Sequence, residues 1–158
     1  EAIIEALRDE PIILIVTVGD QQDPSTFGPQ PANVRIEHYI PQSLVFPYCQ
    51  AIVTHGGFGT VTTAIAHGLP MVIIPVAADQ PDNARRCASL GIARAIEPER
   101  RTWREIRDAV QAVLTTPRFR ESALRLQAEM LALPQRASVV NLLERLAADK
   151  QPLNSSRH

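Results

Sequence analysis

Residues 51–76 read AIVTHGGFGTVTTAIAHGLPMVIIPV, and the order of residue types in this stretch decides the fold. Both ends, 51–54 and 71–74, are short apolar runs containing Ile and Val, which suit strands inside a buried sheet. Between them, 58–67 is long enough for a helix. Gly68 follows, where a helix ends in a left-handed residue that carries no Cβ penalty. A strand, a helix and another strand in so short a span predict a parallel β-α-β unit, because the crossover helix returns the chain to the starting edge of the same sheet.

The same rhythm continues in both directions. Downstream, a helix over 80–90 is closed by Gly91 and leads to a strand over 93–96. Upstream, strand signals fall at 34–39 and at 12–18, where Ile-Ile-Leu-Ile-Val-Thr-Val predicts a strand buried on both faces. Residues 20–33 are polar and rich in Pro and Gly, and are expected as a flexible loop within one domain. The acidic residues 1–9, with Ile3, Ile4 and Leu7 on one stripe, predict a helix that reads as the middle of a longer chain, and Pro11 ends it.

Beyond 96 the pattern becomes helical. Thr102 and Glu105 predict a capping box for a helix with Trp103, Ile106, Val110 and Val113 on one side. Two more helices are expected to start near Pro117 and Pro134, and the stripe Val139, Leu142, Leu143 and Leu146 on the last needs a partner surface. The expectation is an α/β, Rossmann-like open parallel sheet with helices on both faces and a C-terminal helical segment. One domain covers 1–150, and 151–158 form a polar, disordered tail.

Composition limits the function classes. The chain has 158 residues, 45% of them hydrophobic, which supports one domain with a real core. Its net charge of −1 is spread without a basic stripe, so nucleic acid is not an expected partner. Cys49 and Cys87 form neither a CxxC nor a Cys/His ladder, which argues against a disulfide framework and a structural zinc, and points to a reducing, cytoplasmic setting. No apolar run approaches the roughly 20 residues of a membrane span.

An open parallel sheet binds ligands beyond the carboxyl ends of its strands. Three loops qualify. In His55-Gly56-Gly57-Phe58-Gly59-Thr60 the glycines allow a sharp turn and close approach. The following helix offers unpaired N–H groups and its positive dipole end to an anion such as a phosphate, with His55 and Thr60 as added donors. The plainer reading is a tight turn. In Asp79-Gln80, an acceptor beside a donor-plus-acceptor suits vicinal hydroxyls of a sugar, although Asp79 acting only as a helix cap would justify the same residue. After the strand at 34–39, the ring of Tyr39 is placed to stack on a base and the Ile40 backbone to bond its edge, against the plainer reading of half-buried packing.

Taken in order, NVRIEHYIPQSLVFPYC, HGGFGTVTTAIAHGLPMVIIP and AADQPDNARR resemble the donor-binding signature of GT-B glycosyltransferases, in the UDP-glucuronosyltransferase-like superfamily and its bacterial antibiotic-tailoring (macrolide) branch. The likeness runs from Thr17 to Gly91. It implies that Tyr39 and Ile40 hold the base and that Gln42 lies near the pentose. His55, Gly57 and the N–H groups of Phe58, Gly59 and Thr60 would bind the diphosphate, and Asp79 and Gln80 the transferred sugar. It implies an inverting transfer from a nucleotide sugar to a small natural-product acceptor, with no metal or other cofactor. The general base lies in an N-terminal acceptor-binding domain, so no catalytic residue is expected in this chain, which alone would be inactive in transfer. His38, His67 and His158 have no carboxylate partner predicted by spacing.

Three departures from the family pattern stand out. Tyr39 replaces a frequent Trp, and Asp20 stands where a phosphate-touching Ser or Thr often follows a glycine. Thr63 replaces the Glu that binds ribose hydroxyls in uridine-using members, which favours a dTDP-sugar over a UDP-sugar. Rival readings are a non-catalytic nucleotide-binding partner of the same fold, or another GT-B enzyme such as a sugar-nucleotide epimerase or a cell-wall GlcNAc transferase. The expected partners are the nucleotide-sugar donor and the acceptor domain, with self-association through the apolar stripe of the last helix.

Overall fold

The computed structural model describes residues 2–134 and 136–149. Among these residues five strands and seven α-helices occur, in the expected order except that the short helix α2 was not predicted: α1 (Ala2–Leu7), β1 (Leu14–Thr17), β2 (Val34–Glu37), α2 (Gln42–Val45), β3 (Ile52–Thr54), α3 (Phe58–Ala66), β4 (Met71–Ile73), α4 (Gln80–Ser89), β5 (Ala93–Ala95), α5 (Trp103–Thr115), α6 (Pro117–Leu131) and α7 (Arg136–Asp149). All strand pairs are parallel. They are hydrogen-bonded as two ladders, β1-β2 and β3-β4-β5.

Helices pack on both faces of the β3-β4-β5 ladder and on one face of β1-β2. On one face, Ile4 and Leu7 of α1 and Ile106, Ala109, Val110 and Val113 of α5 bury Leu14, Val34 and Val72. On the other, Val61 and Ala64 of α3, Ala84 and Cys87 of α4 and Ala123 of α6 bury Met71, Ile73 and Ala93. Successive side chains of a strand point to opposite faces, so β4 sends Val72 to the first layer and Met71 and Ile73 to the second. Both cysteines are free, and burial pushes both thiols up from their ordinary range.

The expectation that β1 is buried on both faces is corrected. Leu14 is buried, but Ile13 is 83% exposed and Ile15 40%. The second helical layer reaches β3 to β5 and includes no buried residue of β1 or β2, so the outer face of β1 has no cover among the described residues.

The loop over 20–33 is more ordered than its composition predicts. Asp23 caps a short 3-10 turn, Pro24–Phe27, accepting from the Ser25 N–H at 2.9 Å and from the Ser25 hydroxyl at 2.7 Å. Those two bonds hold the Asp23 carboxyl below its usual range. Asn33 Nδ2 lies within hydrogen-bond distance of the carbonyls of Arg8, Glu10 and Ile12, at 3.1, 3.2 and 3.1 Å, and ties the loop to the end of α1.

Helix ends follow their predicted chemistry with two adjustments. Gly68 and Gly91 sit just past α3 and α4 with φ of 61° and 72°, as C-terminal caps require. The capping box at α5 is half formed: Thr102 Oγ1 accepts from the Glu105 N–H at 3.3 Å, while the Glu105 carboxylate pairs with Arg100 instead of turning back. α7 starts at Arg136, two residues after Pro134, and Val139, Leu142, Leu143 and Leu146 on it are exposed. The tail expected over 151–158 lies outside the described residues. Among the described residues no helix is long and apolar enough to cross a membrane.

Candidate functional site

The three loops singled out above converge, and hydrogen bonds join them. The first leaves β3 through His55 and turns at Gly56, whose φ is 89°. Gly56 is buried, and a Cβ there would stand 2.6 Å from Ile73 Cγ2, so only glycine fits the conformation and the space together. Gly57 is the N-cap of α3 and has no side chain to cap it. The first intrahelical bond runs from the Val61 N–H to the Gly57 carbonyl at 3.0 Å. By helix geometry the N–H groups of Phe58, Gly59 and Thr60 have no partner inside the helix and face outward from its positive end.

The absence of a side chain at Gly57 also makes room for His55. A Cβ on Gly57 would lie 2.6 Å from His55 Nε2, so the exposed imidazole rests directly against the helix entrance. An imidazole N–H and a set of backbone N–H groups at one place form a donor cluster suited to a dianionic oxygen acceptor.

Gln42, at the start of α2, reaches this loop from the base side. Its Nε2 donates to Thr60 Oγ1 at 3.2 Å. Tyr39, just past β2, is 70% exposed, which excludes the packing role its composition also permitted and leaves its ring free to stack. Ile40 is half-buried beside it. Thr63 lies one turn into α3, and its hydroxyl donates to the Gly59 carbonyl at 2.8 Å.

The third loop follows β4. Ala78 adopts a left-handed φ of 57°, the only non-glycine residue to do so among those described. Asp79 makes no side-chain cap bond to α4, so the capping role offered for it does not hold. Its Oδ2 accepts from Asn83 Nδ2 at 2.9 Å. Gln80 holds the loop locally: its Oε1 accepts from the N–H groups of Val76 and Ala77 at 2.8 and 3.1 Å, and among the described residues its Nε2 has no hydrogen-bond partner. A Cβ on Gly56 would also lie 3.5 Å from the Gln80 carbonyl, so the first and third loops pack against each other.

Asp20 stays apart. It is exposed beyond β1, and no hydrogen bond among the described residues joins it to the three loops. Asn83 is the residue whose part the sequence does not reveal. It lies in the AADQPDNARR stretch that carries the family resemblance, and it stands four residues after Asp79, a spacing that places two side chains on one helix face.

The architecture has close counterparts among solved structures. The glycosyltransferase VinC, solved in complex with dTDP, superposes with a TM-score of 0.86 at 33% identity, over 94% of this chain and 37% of that chain. The class is therefore the C-terminal domain of the GT-B glycosyltransferase fold. Residues 3–146 match the family described as erythromycin biosynthesis protein CIII-like, C-terminal domain, and the chain belongs to that family. It is 39% identical to 4'-demethylrebeccamycin synthase of Lentzea aerocolonigenes over 90% of this chain and 33% of that protein. To 10-deoxymethynolide desosaminyltransferase of Streptomyces venezuelae it is 35% identical, over 99% of this chain and 37% of that protein. The chain thus spans about a third of the length of these relatives.

Proposed function

We propose that the chain binds a nucleoside diphosphate sugar, dTDP-linked in preference to UDP-linked, as the donor half of an inverting glycosyltransferase acting on a small natural-product acceptor. The observation that carries this reading is the hydrogen-bonded convergence of a stacking ring, a helix N-terminus with a histidine, and an Asp-Gln pair at the strand ends. Their order matches base, diphosphate and sugar. The dTDP-bound relative supports the nucleotide. Thr63 supports it as well: its hydroxyl proton is given to the Gly59 carbonyl, and it lacks the carboxylate that would hold a 2′-hydroxyl.

In this reading an acceptor hydroxyl oxygen attacks the anomeric carbon while the bond from that carbon to the diphosphate oxygen breaks. The electron pair leaves with the diphosphate, and the hydroxyl proton passes to a base carried by an acceptor-binding domain. Negative charge grows on the diphosphate as the bond stretches, so fixed donors at His55 and at Phe58, Gly59 and Thr60 act most strongly in the transition state. The step calls on no metal. This chain alone would bind donor without transferring it. The exposed stripe on α7, centred on Leu142, Leu143 and Leu146, would seat the acceptor domain and, without it, favour self-association.

Calorimetric titration of the chain with dTDP and with UDP tests the reading. Tighter binding of dTDP is expected, with His55→Ala weakening both about tenfold, as loss of a charge-assisted bond implies. UDP binding tenfold tighter than dTDP would overturn the nucleotide assignment. An unaltered His55→Ala variant would remove His55 from the site.

A further inference from the structure

The diphosphate loop and the sugar loop meet through one side-chain amide. Asn83, half-buried on the first turns of α4, lies 2.9 Å through Nδ2 from the Gly56 carbonyl and 2.9 Å through the same atom from Asp79 Oδ2. An amide nitrogen carries two hydrogens in one plane, so one proton serves each acceptor and both bonds form together. The Asn83 backbone N–H is engaged separately, with the Asp79 carbonyl at 3.0 Å. Asn83 is therefore anchored by the helix while its side chain holds a peptide of one loop and a carboxylate of the other.

Each grip has a consequence for the ligand side. In a planar trans peptide the C=O and the following N–H point in opposite directions, so fixing the Gly56 carbonyl on Asn83 turns the Gly57 N–H away from α4. The bond to Asp79 is charge-assisted and engages one carboxylate oxygen, leaving Oδ1 to accept from a hydroxyl. Gly56 has no side chain to stiffen it, and Ala78 holds the sugar loop in a left-handed turn. Both loops rise from the β3-β4-β5 ladder and touch at Gly56 and Gln80, and the amide of Asn83 adds the side-chain link between the Gly56 carbonyl and the Asp79 carboxylate.

Resting on the donor-site reading above, we propose that Asn83 is a positioning residue that couples diphosphate recognition to sugar recognition. It fixes the separation between the Gly56-Gly57 turn and the Asp79 carboxylate, so that a sugar joined to the diphosphate meets Asp79 already oriented. Asn83 itself touches neither ligand group in this scheme. Its removal leaves both half-sites present and uncoupled.

The test compares two probes, dTDP and dTDP-glucose, titrated calorimetrically into the wild-type chain, Asn83→Ala, Asp79→Ala and the double variant, with melting temperatures measured alongside. The wild type is expected to bind dTDP-glucose several-fold more tightly than dTDP, in the range of ordinary coupling between sites, about 5-fold or more. Asn83→Ala is expected to bring that ratio close to one while dTDP affinity falls less than threefold. The double variant is expected to lose no more of the ratio than Asp79→Ala alone, because the two residues act as one unit. A second variant, Asn83→Asp, keeps the shape but donates no hydrogen bond and faces the Asp79 carboxylate, and should lose the ratio as fully as the alanine. A merely structural asparagine would lower the melting temperature and weaken both probes equally. An Asn83→Ala chain that keeps the wild-type ratio overturns the proposal and leaves the donor site standing. A wild-type chain that binds neither probe overturns the donor-site reading and this proposal with it, whereas one that binds both equally overturns the coupling and leaves nucleotide binding standing.

Discussion

Leu14-Ile15-Val16 in β1 and Met71-Val72-Ile73 in β4 are apolar runs of the same kind, each paired in a parallel ladder, yet their surroundings are opposite. All three β4 residues are 0% exposed, with helices on both faces. β1 buries Leu14 against α1 and α5 and turns Ile15 outward. The difference teaches that a hydrophobic run records what the strand tolerates, whereas the helices that reach it settle what is buried. It also places the rigidity of the site. The Gly56 turn and the Asp79 loop both rest on the β3-β4-β5 ladder, and Tyr39 rises from the end of the other.

The comparison is broken most readily at Ile73. Ile73→Ala removes a fully buried side chain and should destabilise the chain by about 2–5 kcal/mol, measured by urea denaturation. Gly56→Ala should follow at about 1–3 kcal/mol, since the new methyl meets Ile73 Cγ2 and the backbone is left-handed. In the Ile73→Ala background that methyl regains room, so the double variant should cost less than the sum of the two, and full additivity would show that packing against Ile73 is not the cause. The smallest effect belongs to Ile15→Ala, expected within about 0.5 kcal/mol of wild type, as for a surface substitution. A loss near that of Ile73→Ala would mean that the outer face of β1 is covered after all.

The positions of the elements were readable because periodicity and punctuation agree along the chain. Gly68 and Gly91 mark helix ends by a conformational need that other residues meet only with strain, and the same need made the Gly56-Gly57 turn visible. Side-chain commitments were less readable. Asp79, for which a helix cap was the plainer alternative to a sugar contact, is bonded to Asn83; Glu105 looked like half of a capping box and pairs with Arg100. In both, a local rule named an available partner and the folded chain supplied a different one. The tie from Asn33 to the end of α1 spans more than twenty residues, beyond the reach of any local pattern.

Local chemistry along the chain sets the alternation of strands and helices, the three loops at strand ends, and the side chains those loops carry. These follow from backbone sterics and hydrophobic period, which act over a few residues. Packing between remote segments sets the rest: the outer face of β1, open among the described residues, the meeting of Gln42 with Thr60, and the hold of one amide on α4 on both the Gly56 carbonyl and the Asp79 carboxylate. Those depend on distances between segments remote in the chain, which the packing of helices on the sheet fixes and no local propensity encodes.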